Sequence, residues 1–363
     1  MERKRLREFG ITIGLGAPGR KNSITDVPGV LVGHSTLIQG NGPLIPTEGP
    51  VRTGVTAILP HSRSLYEEPV VGAVHIINGF GKPTGIAQVQ ELGKIEAPIL
   101  ITNTLNVGLV FDAIVAYMIR ENPTAGISTP TINPVVLECN DGYLNDIQGR
   151  HVHQEHVFHA IETANTEVVD GCVGAGTGMI AYGFKSGVGT ASRQLPSKQG
   201  EYTVGCLVVP NCGRTRDLVI NGTPIGALLE KKKRITQQAE VGSIIIVLAT
   251  NAPLSSRQVG RLARRAVVGL SRTGSHISHG SGDFVVSFST DRGSLCENSE
   301  HYHRERLLDR QLTVLFSAAV EATEEAILNA LCMATTMKGR DDHLVTALPL
   351  DEIIEIAMKK IES

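Results

Sequence analysis

The sequence predicts a layered fold of the α+β or α/β class, and three observations support this. Short apolar runs rich in β-branched residues, bounded by Gly, Pro or Asn, recur through the first three quarters of the chain. Segments with apolar residues at helical spacing lie between them, and the longest of these come near the end. Glycine is abundant, at 39 of 363 residues, which favours tight turns. This arrangement is typical of a sheet-rich enzyme with helices on both sides of its sheets.

Seven apolar runs predict strands at residues 30–32, 54–59, 73–77, 99–101, 203–209, 244–248 and 284–288. The run at 244–248 reads Ile-Ile-Ile-Val-Leu and contains no polar residue. Such a run is typical of a strand that is buried on both faces. We therefore expect this strand to lie in the middle of a sheet.

Helical spacing of apolar residues predicts helices over residues 107–119, 157–163 and 256–270, a long helix from about 310 to 337, and a terminal helix over 350–361. Ser255 or Ser256 can cap the third of these. Residues 230–238 read EKKKRITQQ, are charged and lack a core face. We expect them to form an exposed connector, where a chain can be cut without unfolding.

Length permits one large domain or two ordinary ones. The net charge is −2, from 34 basic and 36 acidic residues, so there is no basic footprint for nucleic acid or for an anionic membrane surface. Residues 1–10 are charged and lack an apolar segment, and no uncharged run reaches the ~18 apolar residues of a membrane span. We expect a cytoplasmic protein whose partners are small polar molecules or peptides.

Six cysteines are scattered along the chain without a CxxC pair: Cys139, Cys172, Cys206, Cys212, Cys296 and Cys332. This pattern favours buried free thiols over a disulfide framework or a zinc site. Four histidines at 151, 153, 156 and 159 stand among polar residues, which indicates a solvated loop and helix start rather than a metal site.

The segment Val173-Gly-Ala-Gly-Thr-Gly-Met has the spacing GxGxG and lacks the flanking strand, helix and acidic residue of a dinucleotide-binding loop. We interpret its glycines as positions of close backbone approach near the active site. No cofactor and no metal is expected.

The Gly242-Ser243 bond is the candidate site of self-cleavage, because it stands between the charged connector and the apolar strand. Cleavage would give Ser243 a free α-amine of pKa about 7.7–8.0, so that one residue supplies both nucleophile and base. Gly242 lacks a Cβ and is free to adopt a strained conformation for attack on its own carbonyl. Downstream, Gly280-Ser281-Gly282-Asp283 places a hydroxyl and a carboxylate at the start of another strand. These groups are suited to orienting the amine and hydroxyl of Ser243.

Together these segments resemble the DmpA-like family of serine aminopeptidases and amidases, which includes the β-peptidyl aminopeptidases. Seven ordered motifs carry the resemblance over nearly the whole chain: Asn22-Ser-Ile-Thr-Asp-Val-Pro-Gly-Val, Thr53-Gly-Val-Thr-Ala-Ile-Leu-Pro-His, Asn103-Thr-Leu-Asn-Val-Gly, Glu138-Cys-Asn-Asp-Gly-Tyr-Leu-Asn-Asp, Val173-Gly-Ala-Gly-Thr-Gly-Met, Gly242-Ser-Ile-Ile and Gly280-Ser-Gly-Asp.

The resemblance implies a single domain with a four-layer αββα sandwich, cut into residues 1–242 and 243–363, and assembled as a homotetramer. It implies that Ser243 is the nucleophile and that Ser281 assists it. Asp283 falls where members carry an acidic residue, Glu in some, so its reach is shorter. Tyr143 and Asn211 match residues placed beside the nucleophile, and Asn211 is a candidate oxyanion-hole donor.

An aminopeptidase must also bind the ammonium group of its substrate. We expect Glu138 to do this, with Asn140 beside it in the substrate site, while Asp141 and Asp146 are alternatives. The predicted activity is hydrolysis of N-terminal residues from short peptides, amides or esters through an acyl-enzyme. The alternatives are an acyltransferase like the glutamate N-acetyltransferases, whose nucleophile is threonine, and an unprocessed, inactive homologue.

Overall fold

The computed structural model describes residues 2–196, 198, 200–233, 242–291 and 306–361. Its strands are β1 Leu31–Gln39, β2 Val51–Leu59, β3 Val70–Gly79, β4 Lys94–Ile95, β5 Ile99–Asn103, β6 Val135–Cys139, β7 Ile180–Ala181, β8 Phe184–Lys185, β9 Gly189–Gln194, β10 Thr203–Asn211, β11 Ser243–Thr250, β12 Gly282–Ser289, β13 Met337–Lys338 and β14 Leu344–Val345. Its helices are α1 Ile86–Leu92, α2 Val107–Glu121, α3 Gln154–Glu162, α4 Ile225–Lys233, α5 Ser256–Ala263, α6 Ala266–Arg272, α7 Leu312–Met333 and α8 Leu350–Ile361.

Two sheets form the centre of the fold. A four-stranded sheet has the order β1-β2-β5-β6, and a six-stranded sheet has the order β4-β3-β12-β11-β10-β9. In the larger sheet β11 pairs antiparallel with β10 and parallel with β12. The apolar run at 244–248 therefore occupies the middle of a sheet, as its lack of polar residues predicts.

Side-chain alternation along β11 shows how the layers stack. Ile244, Ile246 and Leu248 pack with α5, α6 and α7 on one side. Ile245 and Val247 pack on the other side against residues of the smaller sheet. The outer face of the smaller sheet is covered by α2 and α3. Because each sheet has one face on the other sheet and one face under helices, the predicted αββα sandwich is confirmed.

All seven predicted strands are present, and several extend further than predicted. Seven strands, β4, β6, β7, β8, β9, β13 and β14, and helices α1 and α4 were not predicted. The predicted helix over 256–270 is two helices, α5 and α6, and the side chain of Ser255 caps the first by accepting from the Gln258 N–H. The predicted long helix is shorter than expected, because α7 ends at Met333 and Met337 belongs to a strand.

The beginning of the predicted connector is helical, because residues 230–233 continue α4, and Lys231 is exposed as predicted. The rest of that segment lies outside the described residues, as does Cys296. Of the other five cysteines, four are buried and Cys172 is partly exposed. Among the helices that the structure describes, none combines the length and apolarity that a bilayer span requires.

Candidate active site

Strand pairing brings the candidate residues together at one end of the larger sheet. Ser243, the first residue of β11, lies opposite Asn211 at the end of β10 and opposite Gly282 at the start of β12. Strand β10 runs two residues further than predicted, so Asn211 belongs to the strand rather than to a turn. Ser243 is buried, with 6% of its surface exposed. The sheet thus fixes the backbone on both sides of this hydroxyl.

The Asn211 amide has a defined orientation beside Ser243. Its Oδ1 accepts from the Ile180 N–H at 3.0 Å, and its Nδ2 donates to the Asn140 carbonyl at 2.9 Å. One amide hydrogen remains, and Nδ2 lies 3.5 Å from Ser243 Oγ. Since both ends of the amide are bonded to backbone groups, the nitrogen rather than the oxygen must face the hydroxyl. The site therefore holds a preoriented donor beside Ser243.

Ser281 and Asp283 form a hydrogen-bonded pair next to the Gly242-Ser243 bond. Ser281 Oγ donates to Asp283 Oδ1 at 2.6 Å. Burial raises the pKa of Asp283 to about 6, and the hydrogen bonds from Ser281 and from the Ile244 backbone oppose that rise. Ser281 Oγ lies 3.1 Å from the point where a Cβ on Gly242 would stand. The pair is therefore adjacent to the backbone that the predicted cleavage would cut.

A glycine fits at position 242 because a side chain there would crowd Ser281 Oγ and Cys212. The Gly242 carbonyl accepts a hydrogen bond from the Gly282 N–H at 3.2 Å. That bond polarises the carbonyl at which a serine nucleophile would act.

Glu138 and Cys139, at the end of β6 in the smaller sheet, lie next to the Ser243 site. Cys139 is fully buried, its Sγ lies 3.4 Å from the Val209 carbonyl, and its thiol is hydrogen-bonded to Ser243. Burial raises the pKa of this thiol well above its usual range, so it remains a neutral SH group. The neighbouring Glu138 is 5% exposed. The end of β6 therefore forms one wall of the site.

Glu138 carries a buried carboxylate without a cationic partner among the described residues. Its Oε1 accepts from the Lys82 backbone N–H at 2.9 Å, and its Oε2 accepts from the Thr104 hydroxyl. A buried carboxylate that is hydrogen-bonded but not paired with a cation is suited to receiving one. The described geometry thus fits an ammonium ligand at Glu138.

The two alternative anchors, Asp141 and Asp146, make contacts of their own. Asp141 is 1% exposed and bonds to Asn145 at 3.0 Å and to Thr53. Burial raises the pKa of Asp141 to about 7. Asp146 bonds to His151 Nε2 at 2.9 Å and to the Gly149 N–H. Asp146 is therefore held within the loop after β6, whereas Oδ2 of Asp141 is buried without a hydrogen-bond partner, so Asp141 remains an alternative anchor beside Glu138.

Asn140 and Tyr143 lie on this same loop. Asn140 contributes its backbone carbonyl to the Asn211 amide, while its side chain accepts from the Gly142 N–H at 2.9 Å. The Tyr143 ring is 40% exposed and stacks on His343, with ring centroids 4.3 Å apart. His343 also bonds to the Tyr143 carbonyl at 2.8 Å. Tyr143 is therefore held at the surface of the loop.

The glycine-rich segment 173–179 packs tightly behind the site, as its composition predicts. A Cβ on Gly178 would stand 2.4 Å from the Arg52 carbonyl oxygen and 2.7 Å from Asp141 Cβ. The fully buried Lys185 Nζ donates to the carbonyls of Gly176 at 3.2 Å, Met179 at 3.0 Å and Ser186. Burial lowers the pKa of Lys185. This packing fixes the segment that leads to Ile180, the donor to Asn211.

The histidine segment has a structural role. His153 stands before α3, and the His156 ring accepts from its backbone N–H at 3.0 Å. Within the part of the chain that the structure describes, no group of three or more His, Cys, Asp or Glu side chains is arranged to hold a metal ion.

Sequence reasoning missed Thr104 and Cys139, although both stand inside motifs that carried the family resemblance. Thr104 follows Asn103, whose side chain caps the next turn by accepting from the N–H groups of residues 105 and 106. A hydroxyl at the end of a buried strand is the signal that would have indicated Thr104. Cys139 gave no such signal, because a cysteine in an apolar strand is usually an ordinary residue of the hydrophobic core.

Comparison with known proteins shows which family and which solved structures this chain is similar to. The family model described as peptidase family S58 matches residues 22–345. A β-peptidyl aminopeptidase from Sphingosinicella microcystinivorans is 41% identical over 375 residues, which cover 99% of this chain and 93% of the relative.

Solved structures are also similar. The PH0078 protein from Pyrococcus horikoshii OT3 superposes with a TM-score of 0.91 at 48% identity, over 98% of this chain and 99% of that one. The L-aminopeptidase D-Ala-esterase/amidase from Ochrobactrum anthropi, described as a prototype for the serine aminopeptidases and a variant of the Ntn hydrolase fold, gives 0.88 at 37% identity over 98% of each chain.

Proposed function

We propose that this chain, which belongs to peptidase family S58, is a self-processing serine aminopeptidase with Ser243 as its nucleophile. The family resemblance that the seven motifs indicate is confirmed by the match over residues 22–345. Its activity is the hydrolysis of N-terminal residues from short peptides, amides or esters. The relatives named β-peptidyl aminopeptidases support β-amino acid residues as one accepted class.

One observation carries the proposal. At the paired ends of three strands, Ser243 stands between an amide donor on one side and the Ser281–Asp283 pair on the other. Alternation places Ser243 Oγ on the face toward the smaller sheet, with Asn211 and Cys139. The Ser281–Asp283 pair lies at the backbone on the opposite side. The oxyanion donor Asn211 and the Ser281–Asp283 pair that orients the base thus lie on opposite faces of the sheet at Ser243.

Self-processing would begin with Ser243 Oγ attacking the Gly242 carbonyl carbon. The new C–O bond forms as the Gly242-Ser243 C–N bond breaks, and the proton from the hydroxyl passes to the departing nitrogen. The Gly282 N–H polarises the carbonyl during this step. Water then hydrolyses the ester, which leaves a carboxylate on Gly242, a free hydroxyl on Ser243 and a free amine at its backbone nitrogen.

Peptide hydrolysis would repeat this chemistry on a substrate. The Ser243 amine takes the hydroxyl proton as Oγ attacks the substrate carbonyl, and the Asn211 amide donates to the developing oxyanion. The proton then passes to the leaving amine as the scissile C–N bond breaks. Water cleaves the acyl-enzyme by the reverse proton path. Ser281 and Asp283 orient the amine, while the place of Tyr143 beside the nucleophile rests on the family resemblance alone.

The substrate's ammonium group would bind Glu138, with Asn140 beside it. The buried carboxylate of Glu138 accepts two hydrogen bonds and has no cationic partner among the described residues. An ammonium ion would neutralise its charge without exposing it to water. This arrangement selects substrates with a free amino terminus.

The proposal extends to the cellular location and the assembly state. Six scattered cysteines without a CxxC pair favour a reducing compartment, so we assign the protein to the cytoplasm. The family resemblance supports a homotetramer. Size-exclusion chromatography with light scattering tests that state directly.

Electrophoresis of the purified protein tests self-processing. The wild-type chain should give two fragments, residues 1–242 and 243–363, and Ser243→Ala should remain intact and inactive. Ser271→Ala is the matched control, since that exposed hydroxyl bonds only within α6, and it should be processed normally. An intact wild-type chain with full peptidase activity would exclude the proposed mechanism. A panel of aminoacyl p-nitroanilides then defines the accepted residues.

A further inference from the structure

Asn78, near the end of β3, makes an unusual set of contacts with the turn that carries Ser281. Its side-chain nitrogen donates toward the carbonyls of Ser278 at 3.1 Å, His279 at 3.1 Å and Ser281 at 2.5 Å. An asparagine amide has two hydrogens, so at least one is shared between acceptors. A single side chain therefore donates hydrogen bonds to three carbonyls of one turn.

The strand register explains why Asn78 reaches this turn. Asn78 pairs with Asp283, and the register shifts immediately afterwards, so that Phe284 pairs with Ile76 and Ile77 is an extra residue in β3. Directly opposed residues of an antiparallel pair point to the same face. The bulge thus directs Asn78 to the face that holds the Ser281–Asp283 pair.

The turn itself has an unfavourable backbone. Ile277, which precedes it, has a φ of +56°, a conformation that a β-branched residue rarely adopts. Locally, the Ile277 N–H donates to Ser275 Oγ at 3.4 Å and the Ser281 N–H donates to the Ser278 carbonyl at 3.0 Å. The turn therefore depends on groups outside it for its shape, and Asn78 supplies donors to three of its carbonyls.

We propose that Asn78 is a positioning residue that holds the Ser278–Ser281 turn and thereby fixes the Ser281 hydroxyl beside the Ser243 backbone. The inference rests on the proposed function, because it assigns Ser281 a role in the reaction. Asn78 acts through Ser281 and touches neither the nucleophile nor the substrate carbonyl. Its loss should displace Ser281 and lower the turnover rate while substrate binding at Glu138 is retained.

Kinetics of processed Asn78→Ala should show kcat lowered roughly 10- to 100-fold, as expected for a misplaced catalytic group, with KM nearly unchanged. Asn78→Asp keeps the size but replaces the donors with a carboxylate, and should lose at least as much. Asn122→Ala is the control, because that amide also donates to a carbonyl, at 3.0 Å, but at the end of α2. It should leave kcat unchanged. A fully active Asn78→Asp variant, or a change confined to KM, would overturn the proposal.

A double-mutant cycle separates positioning from general destabilisation. In a Ser281→Ala background, the further change Asn78→Ala should cost little, because the group that it positions is already gone. Equal losses in both backgrounds would contradict the proposal.

Hydrogen exchange gives a readout that does not need activity. Asn78→Ala should speed exchange of the Ser281 amide while the amides of β11 keep their protection. If exchange of the Ser281 amide were unchanged, Asn78 would not hold the Ser278–Ser281 turn, even if activity fell. An inactive wild-type enzyme would count against the proposed function, and exchange would still decide whether Asn78 holds the turn.

Discussion

Asn211 and Ser243 face each other across the paired ends of β10 and β11, with Asn211 Nδ2 3.5 Å from Ser243 Oγ. The amide cannot turn over without losing its bonds to the Ile180 N–H and the Asn140 carbonyl. A donor that is fixed before the reaction needs little reorganisation when negative charge develops. This relationship makes Asn211 the most direct test of the proposed chemistry.

Replacing Asn211 with alanine should lower kcat by about 10²- to 10³-fold, the range found when one oxyanion donor is removed. KM should change little, because the donor acts mainly on the transition state. Steady-state kinetics on an aminoacyl p-nitroanilide measures both values. Asn165→Ala is the control, since its side chain bonds within an exposed turn far along the chain. Wild-type kcat in Asn211→Ala would remove Asn211 from the oxyanion hole.

The pH dependence of kcat should report Asp283. Its pKa is raised to about 6, mainly by burial, so the carboxylate that accepts from Ser281 forms as the pH rises through that value. We expect kcat to rise with pH near 6, and Asp283→Asn to be slower and to lack this rise. Asp309→Asn, at an exposed ion pair, should keep the wild-type profile. A profile flat through pH 6 in the wild type would contradict this assignment.

The same carboxyl group should affect stability with a definite sign. Because its pKa in the folded protein lies above the ordinary value of 3.8, the folded state holds the proton more tightly than the unfolded chain does. The resulting stabilisation is fully present below about pH 3.8 and is lost as the pH rises through about 6. Urea unfolding of the wild type and of Asp283→Asn across this range should show the difference between them changing in that direction. A difference independent of pH would argue against the raised pKa.

Glu138→Gln should raise KM for substrates with a free amino terminus. Loss of a hydrogen-bonded charge partner is worth about 1.5–3 kcal/mol, which corresponds to roughly 10- to 100-fold in KM. Glu96→Gln is the matched control, because Glu96 is also buried but is paired with Lys94 at 3.1 Å. A normal KM for free-amine peptides in Glu138→Gln would rule out this residue as the ammonium anchor.

The glycine-rich segment gives a pair of opposite predictions for stability. Gly178→Ala would place a Cβ 2.4 Å from the Arg52 carbonyl oxygen, so the backbone must move, and we expect a loss of about 1–3 kcal/mol. Gly108→Ala, on the exposed face of α2, would meet nothing within 4 Å. It should stabilise the protein by about 0.5–1 kcal/mol. Thermal unfolding of both variants measures the two effects, and equal shifts in Tm would contradict the packing argument.

Much of the fold was predictable from local patterns. The seven strands were predicted because β-branched runs bounded by turn residues indicate strands without knowledge of their neighbours. Strand β9 was missed because it reads Gly-Thr-Ala-Ser-Arg-Gln, a sequence without the apolar character of a strand. Its burial depends on contacts with α7 and with β10, and no local pattern encodes such contacts. Helix α4 was missed for a similar reason, because its charged end masked the apolar start.

For the candidate site as well, part was predictable from the sequence and part was not. The sequence by itself determined the residue types that the chemistry requires, a serine after glycine, a second serine with a carboxylate, and an asparagine at a strand end. Only the tertiary structure decided that Asn211 turns its nitrogen to Ser243 and that Glu138 lacks a cationic partner among the described residues. It also decided that Asn78 donates hydrogen bonds to the turn that carries Ser281. Each of these depends on which distant segments meet and at what register. The direction of a hydrogen bond and the burial of a side chain depend on contacts between distant segments, so no single stretch of sequence encodes them.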